Sequence, residues 1–123
     1  MKRMKDGTIL KQREIVLIPF PYSNLLTIKK RPVFIISNSK YNSNNNDIIC
    51  CAITSSEKQM KHGVIIESLD LEQGSLDYKS IVKPTKIFTI LQERLIKKLG
   101  KLNIEKTKEI IKILNQNIEI ENN

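Results

Sequence analysis

Apolar positions along this chain fall in short, densely β-branched runs separated by polar punctuation, a pattern that predicts strands before it predicts helices. Residues 15–20 are nearly all apolar and are bounded by Pro19 and Pro21, which reads as a strand buried on both faces and ending where proline removes a ladder donor. A loop with a basic tip follows over 24–30, then a second β-branched run over 32–37 and an Asn- and Ser-dominated stretch over 38–46 that reads as the clearest loop. Residues 48–54 form a third run. Beyond a polar, turn-like segment at 55–62 and Gly63 come a short run at 64–66, a connection with a turn over 69–78, and two short strands, 80–83 and 86–90, on either side of Pro84. The spacing is that of a compact barrel or sandwich.

After Ile90 the apolar period lengthens from two towards three and four. Asn103 is placed to cap a helix with Ile104, Ile110, Ile111, Leu114 and Ile118 along one side and Glu105, Lys106, Lys108, Glu109 and Lys112 towards water. Residues 91–99 are open between a helical turn and a final strand. The resulting division is a flexible basic lead-in over 1–12, a single domain over 13–118 and a tail over 119–123, with no internal repeat. A chain of 123 residues with 40% hydrophobic content supports one modest core, not two.

Charge changes the picture more than size does. Lys and Arg number 21 against 13 Asp and Glu, a formal +8 that favours a polyanionic partner, although a Lys-, Ile- and Asn-rich composition also accompanies AT-biased coding. No run approaches the roughly 18 apolar residues needed to cross a bilayer, and no apolar signal region follows the basic start, so a cytoplasmic protein without membrane association is expected. Cys50 and Cys51 are adjacent within a strand-like run, which points them to opposite faces as two buried thiols suited to a reducing compartment.

Two features carry candidate chemistry. Arg31 stands at the end of a basic loop, set against Pro32, and the third run closes in the hydroxyl series Thr54, Ser55 and Ser56, so that a cation and hydroxyls can meet at one mouth of a small β structure. Lys29, Lys30 and Lys83 are placed to line a groove along a nucleic-acid backbone, with Tyr22 or Phe20 as stacking faces, though both rings read better as core aromatics. No metal site is expected: His62 is the only histidine, the adjacent cysteines lack zinc-ligand spacing, and the carboxylate pairs Asp70 with Glu72 and Glu119 with Glu121 sit in a turn-rich connection and a tail.

The order of these pieces (Ile15 to Phe20, Arg31-Pro32, Ala52-Ile53-Thr54-Ser55, Val82-Lys83-Pro84, then Lys86 to Ile90) resembles the MazF/PemK family of toxin endoribonucleases, in particular its PemK-like branch. The resemblance spans residues 13–114 and rests on order and spacing, because each motif is short. It implies a mainly β fold with a C-terminal helix, a small SH3-like β-barrel of the MazF/PemK/CcdB type. It also implies a homodimer that cuts single-stranded RNA, without a cofactor, and is restrained by a cognate antitoxin. The family's catalytic arginine falls on Arg31 and its catalytic threonine on Thr54; Lys29, Lys30 and Lys83, by their charge, and Ser55 and Ser56, by their hydroxyls, are expected to bind the RNA beside them. The chain departs from the pattern in two places: no glycine stands in the loop before Arg31, and Thr85 occupies a position where some relatives carry an acid.

RNA supplies its own nucleophile, the 2′-hydroxyl, so such an enzyme needs only to align that oxygen with phosphorus and stabilise charge on the phosphate oxygens. A planar guanidinium suits the second task. Two other classes compete with this reading: a toxin on the same barrel that jams a topoisomerase such as gyrase without cutting anything, and a basic nucleic-acid-binding module without turnover.

Overall fold

The computed structural model describes residues 9–21 and 28–122. Seven strands form one sheet in the order β4-β6-β3-β2-β1-β7-β5, antiparallel at every pairing: β1 (Glu14–Pro21), β2 (Ile28–Ile35), β3 (Asp47–Thr54), β4 (Val64–Ile66), β5 (Leu71–Gly74), β6 (Ser80–Leu91) and β7 (Lys97–Leu102). A short helix, α1 (Ser39–Asn44), joins β2 to β3, and α2 (Ile104–Asn117) follows β7 and packs on β6 and β4. The architecture is the expected mainly β, barrel-like sheet with a C-terminal helix.

Both faces of the central strands are covered, which is why β1, the second half of β2 and β3 read as nearly continuous apolar runs. One cluster holds Leu10, Val16, Ile18, Val33, Ile35, Ile48, Cys50 and Leu95; the other holds Ile15, Phe34, Cys51, Ile53, Val64, Ile66, Val82, Leu102 and Ile110. The adjacent cysteines divide between the two clusters, as strand alternation requires. Leu10 is 1% exposed, so the polar stretch before β1 contributes one residue to the core, while residues 1–8 lie outside those described.

Several elements differ from the reading of the sequence. The Asn-rich stretch contains α1, capped by the Asn38 side chain accepting from Tyr41 N–H, and a buried polar cluster ties it down. Asn42 Nδ2 donates to the carbonyls of Leu10 and Ser37, and Gln92 Nε2 donates to those of Asn42, Asn45 and Asp47. These long-range bonds supply what local propensity does not. The 69–78 connection contains β5, which pairs with β7 where Gly74, at φ +80, and Gly100 approach so closely that a Cβ on either would strike backbone. Residues 91–99 resolve into a one-turn 3-10 helix at Gln92–Arg94 and the start of β7. On α2, Thr107 and Ile110 are buried whereas Ile104 is 48% exposed, so the inward face is rotated from the expected stripe, and Ile118 falls just past the helix end and is 64% exposed.

Two prolines interrupt the sheet beside the end of β3. Even-numbered residues of β2 turn their backbone towards β3, as the Ile36 N–H to Ile49 carbonyl bond shows, while the Ile35 carbonyl accepts from Arg13 N–H on the other side. The next donor due towards β3 beyond Phe34 belongs to residue 32, and Pro32 has none; the pairing accordingly stops at Val33 and Ala52. On the opposite flank β6 pairs Ile87 with Cys51 but Lys83 with Ala52, leaving residues 84–86 looped out around Pro84. Residues 80–83 and 86–90 are thus one bent strand instead of two. The last residues of β3 are left with an open ladder on one side and a bulge on the other.

Candidate active site

Extending the β2–β3 register two residues past Val33 and Ala52 sets Arg31 opposite Thr54. The pair continues the positions whose backbone bonds point away from each other, where side chains of an antiparallel pair approach most closely. Arg31 and Thr54 accordingly line the same hollow, which has two lobes sharing a wall of Arg31, Pro32, Ile53 and Thr54. The larger lobe, about 430 Å³, adds Lys29, Ser55, Ser56, Tyr78 and Ser80. The smaller, about 150 Å³, adds Phe20, Val33, Ala52, Lys83, Lys86 and Phe88.

Arg31, Thr54 and Lys83 are each held by a nameable contact. The Arg31 guanidinium lies over the Phe20 ring, 5.4 Å from its centroid, because Phe20 is diagonal to it across the β1–β2 ladder. Phe20 is therefore not the core aromatic its sequence context predicts; it is 41% exposed and serves as a platform for the guanidinium. Thr54 Oγ1 accepts from Ser56 N–H at 3.1 Å, which orients the hydroxyl and leaves its proton available to donate. Lys83 is almost wholly covered, and its Nζ donates to the Lys61 carbonyl, tying β6 to the segment after Ser56. Desolvation and then the neighbouring Lys86 lower its pKa, so a positive Lys83 is favoured by any anion that enters the hollow.

Of the sequence-predicted residues, Arg31, Thr54, Lys29, Ser55, Ser56 and Lys83 come together. Lys30 does not: strand alternation turns it to the other face from Lys29 and Arg31, and it lines neither lobe. Tyr22 lies outside the described residues. Reading the sequence missed Tyr78, Ser80, Lys86 and Phe88. The signal was the pairing of Thr54 with Ile81, which brings the start of β6 beside the hydroxyl series, together with the Pro84 bulge that returns Lys86 to the hollow.

Among the described residues no three His, Cys, Asp or Glu side chains gather as metal ligands, and His62 is exposed in a turn. The candidate carboxylates near β5 have other partners: Asp70 Oδ2 accepts from Glu67 N–H, and Glu72 pairs with Arg13 at 3.0 Å. No helix among the described residues is long and apolar enough to cross a membrane.

Residues 11–118 match the family model of the PemK-like, MazF-like toxins of type II toxin-antitoxin systems. The chain belongs to this family. No curated protein matches it in sequence. Among solved structures, MazF-family folds superpose over nearly the whole chain. A MazE-MazF crystal structure from Deinococcus radiodurans matches with a TM-score of 0.75 at 16% identity, covering 93% of this chain and 100% of that one. A mycobacterial endoribonuclease in complex with its cognate antitoxin matches with a TM-score of 0.72 at 16% identity, covering 93% and 97%. The Mycobacterium tuberculosis toxin MazF-mt6 matches with a TM-score of 0.65 at 15% identity, covering 86% and 98%. This member of the MazF-like toxins keeps the fold while sharing about one residue in six with these proteins.

Proposed function

We propose that this toxin is a metal-independent endoribonuclease that cleaves single-stranded RNA at a short sequence, leaving a 2′,3′-cyclic phosphate and a 5′-hydroxyl. The observation that carries the reading is the convergence of Arg31 and Thr54 across an interrupted ladder, in a hollow ringed by Lys29, Lys83 and Lys86. In the reaction the 2′-oxygen attacks phosphorus, the bond to the 5′-oxygen breaks, the 2′-hydroxyl loses its proton and the departing 5′-oxygen gains one. Arg31 directs its planar fork at the phosphate oxygens on which charge develops. Thr54 donates to a phosphate oxygen or to the attacking hydroxyl and holds the strand in line. Ser55 and Ser56 extend that grip, and the lysines follow the backbone.

The mycobacterial relative is an endoribonuclease with a cognate antitoxin, which supports both the activity and an antitoxin protein as partner for this chain. A homodimer is supported by an adjoining surface. Pro19, Phe20, Ile87, Phe88, Ile90 and Leu91 line a mainly apolar depression of about 780 Å³ that shares Phe20 and Phe88 with the smaller lobe, a surface a second copy would cover beside the hollow. Two free buried cysteines agree with a cytoplasmic setting. A protein that only jams a topoisomerase has no use for an arginine facing a hydroxyl at a ladder break. The test is incubation of purified protein with a long RNA, with and without chelator: metal-free internal cuts support the reading, and an intact RNA, or cuts lost with the chelator, refute it.

A further inference from the structure

Among the described residues Tyr78 is the one aromatic residue lining the larger lobe, and it is 75% exposed. A singly exposed aromatic on a surface needs no explanation by itself. Its setting does: the ring stands at the rim of a hollow whose walls include the cations Lys29 and Arg31 and the hydroxyls of Thr54, Ser55, Ser56 and Ser80. The backbone beneath it is anchored, because Ser80 Oγ, on the nearly buried first residue of β6, donates to the Tyr78 carbonyl at 3.1 Å. An exposed ring over a fixed backbone next to positive charge is the arrangement by which single-stranded nucleic acid is held, with the phosphates on the cations and a base flat on the ring.

Size separates the two lobes. At about 430 Å³ the larger falls within the range of roughly 300 to 1,000 Å³ typical of small-molecule sites, whereas the smaller, at about 150 Å³, falls below it. The smaller lobe's aromatic, Phe20, already carries the Arg31 guanidinium. We infer that the larger lobe is a nucleobase subsite, in which Tyr78 stacks on the base of a nucleotide next to the phosphate held by Arg31 and Thr54. The inference rests on the proposed RNA reading for the identity of the ligand, and it makes Tyr78 a binding residue for one particular nucleotide position.

The test measures binding without cleavage. A labelled mixed-sequence oligoribonucleotide with 2′-fluoro sugars lacks the attacking hydroxyl, and its affinity is compared for the wild type, Tyr78→Phe and Tyr78→Ala. Stacking on one base is expected to make Tyr78→Ala bind roughly five- to 150-fold more weakly and to leave Tyr78→Phe within about twofold of wild type. On a strand of the same backbone made abasic throughout, wild type and Tyr78→Ala should bind alike. The dependence of affinity on salt should be the same for all three proteins, because the ring carries no charge. Unaltered affinity of Tyr78→Ala, an equal loss on the abasic strand, or no binding by the wild type overturns the inference. Ring-dependent binding by a protein that cuts no RNA would leave it standing and remove the nuclease reading instead.

Discussion

Arg31 and Thr54 face each other one position beyond Pro32 and Ile53, where β2 and β3 first cease to pair, and the N–H that Pro32 lacks is the reason the pairing stops there. A residue chosen for what it lacks, a backbone donor, thus opens the space that the guanidinium and the hydroxyl share. Pro84 does the same on the other side of β3, and the bulge it occupies brings Lys83 and Lys86 to the same hollow.

Replacing Arg31 tests the charge-stabilising role. Removing a donor aimed at a developing oxyanion typically raises the barrier by about 3 to 4 kcal/mol, so Arg31→Ala is expected to slow single-turnover RNA cleavage about a hundredfold or more. Arg31→Lys should also be slow, since a point charge cannot reproduce the fork. Circular dichroism and the urea midpoint should stay near wild type, because Arg31 lies outside both core clusters.

Thr54 separates two roles of one hydroxyl. Thr54→Val deletes both the acceptor for Ser56 N–H and the donor offered to the substrate. Stability should fall by about 0.5 to 1.5 kcal/mol from the first loss, and cleavage by about tenfold or more from the second, as for a hydrogen bond to a charged group. Thr54→Ser keeps both functions and should cleave at close to the wild-type rate.

Pro32→Ala restores an N–H directed at β3. A new ladder bond stabilises by about 0.5 to 1.5 kcal/mol, and the freer unfolded chain offsets about 0.4 to 1 of it, so net stability should barely move. Cleavage should drop, because closing the ladder narrows the gap between Arg31 and Thr54. Urea denaturation and a cleavage assay on the same sample separate the two effects.

The central strands were legible because both faces of the sheet there are buried, which writes residues 15–20, 32–36 and 48–53 as nearly continuous apolar runs. The meeting of Arg31 with Thr54 followed from family resemblance, and periodicity alone offered only the idea that a cation and hydroxyls share one mouth. Less visible were features set by distant partners. The helix α1 depends on Asn42 and Gln92 bonding across some 50 residues of sequence. Tyr78 and Lys86 reach the site only through the β3–β6 register and its bulge, which no local pattern encodes. Lys30 was placed in the groove by charge alone, and alternation along β2 turns it away.

The buried thiols impose a pH dependence on stability. Desolvation pushes Cys50 from 9.0 up to about 12 and raises Cys51 in the same direction, with Cys50 adding to the latter. An unfolded thiol ionises near 9 while the folded one stays neutral, so this contribution is complete below pH 9 and is lost as pH rises through about 12. Urea midpoints at pH 7 and pH 10.5 should therefore drop further in wild type than in Cys50→Ala, and native protein at pH 8 should resist alkylation until it is unfolded.

The most direct test of the nuclease mechanism is the fate of an RNA carrying a single 2′-deoxy sugar at a mapped cleavage step. The account expects the all-ribose strand to be cut there, with a 2′,3′-cyclic phosphate on one product and a 5′-hydroxyl on the other, and the substituted strand to remain whole at that step. Cutting of the 2′-deoxy strand at the same bond would contradict it.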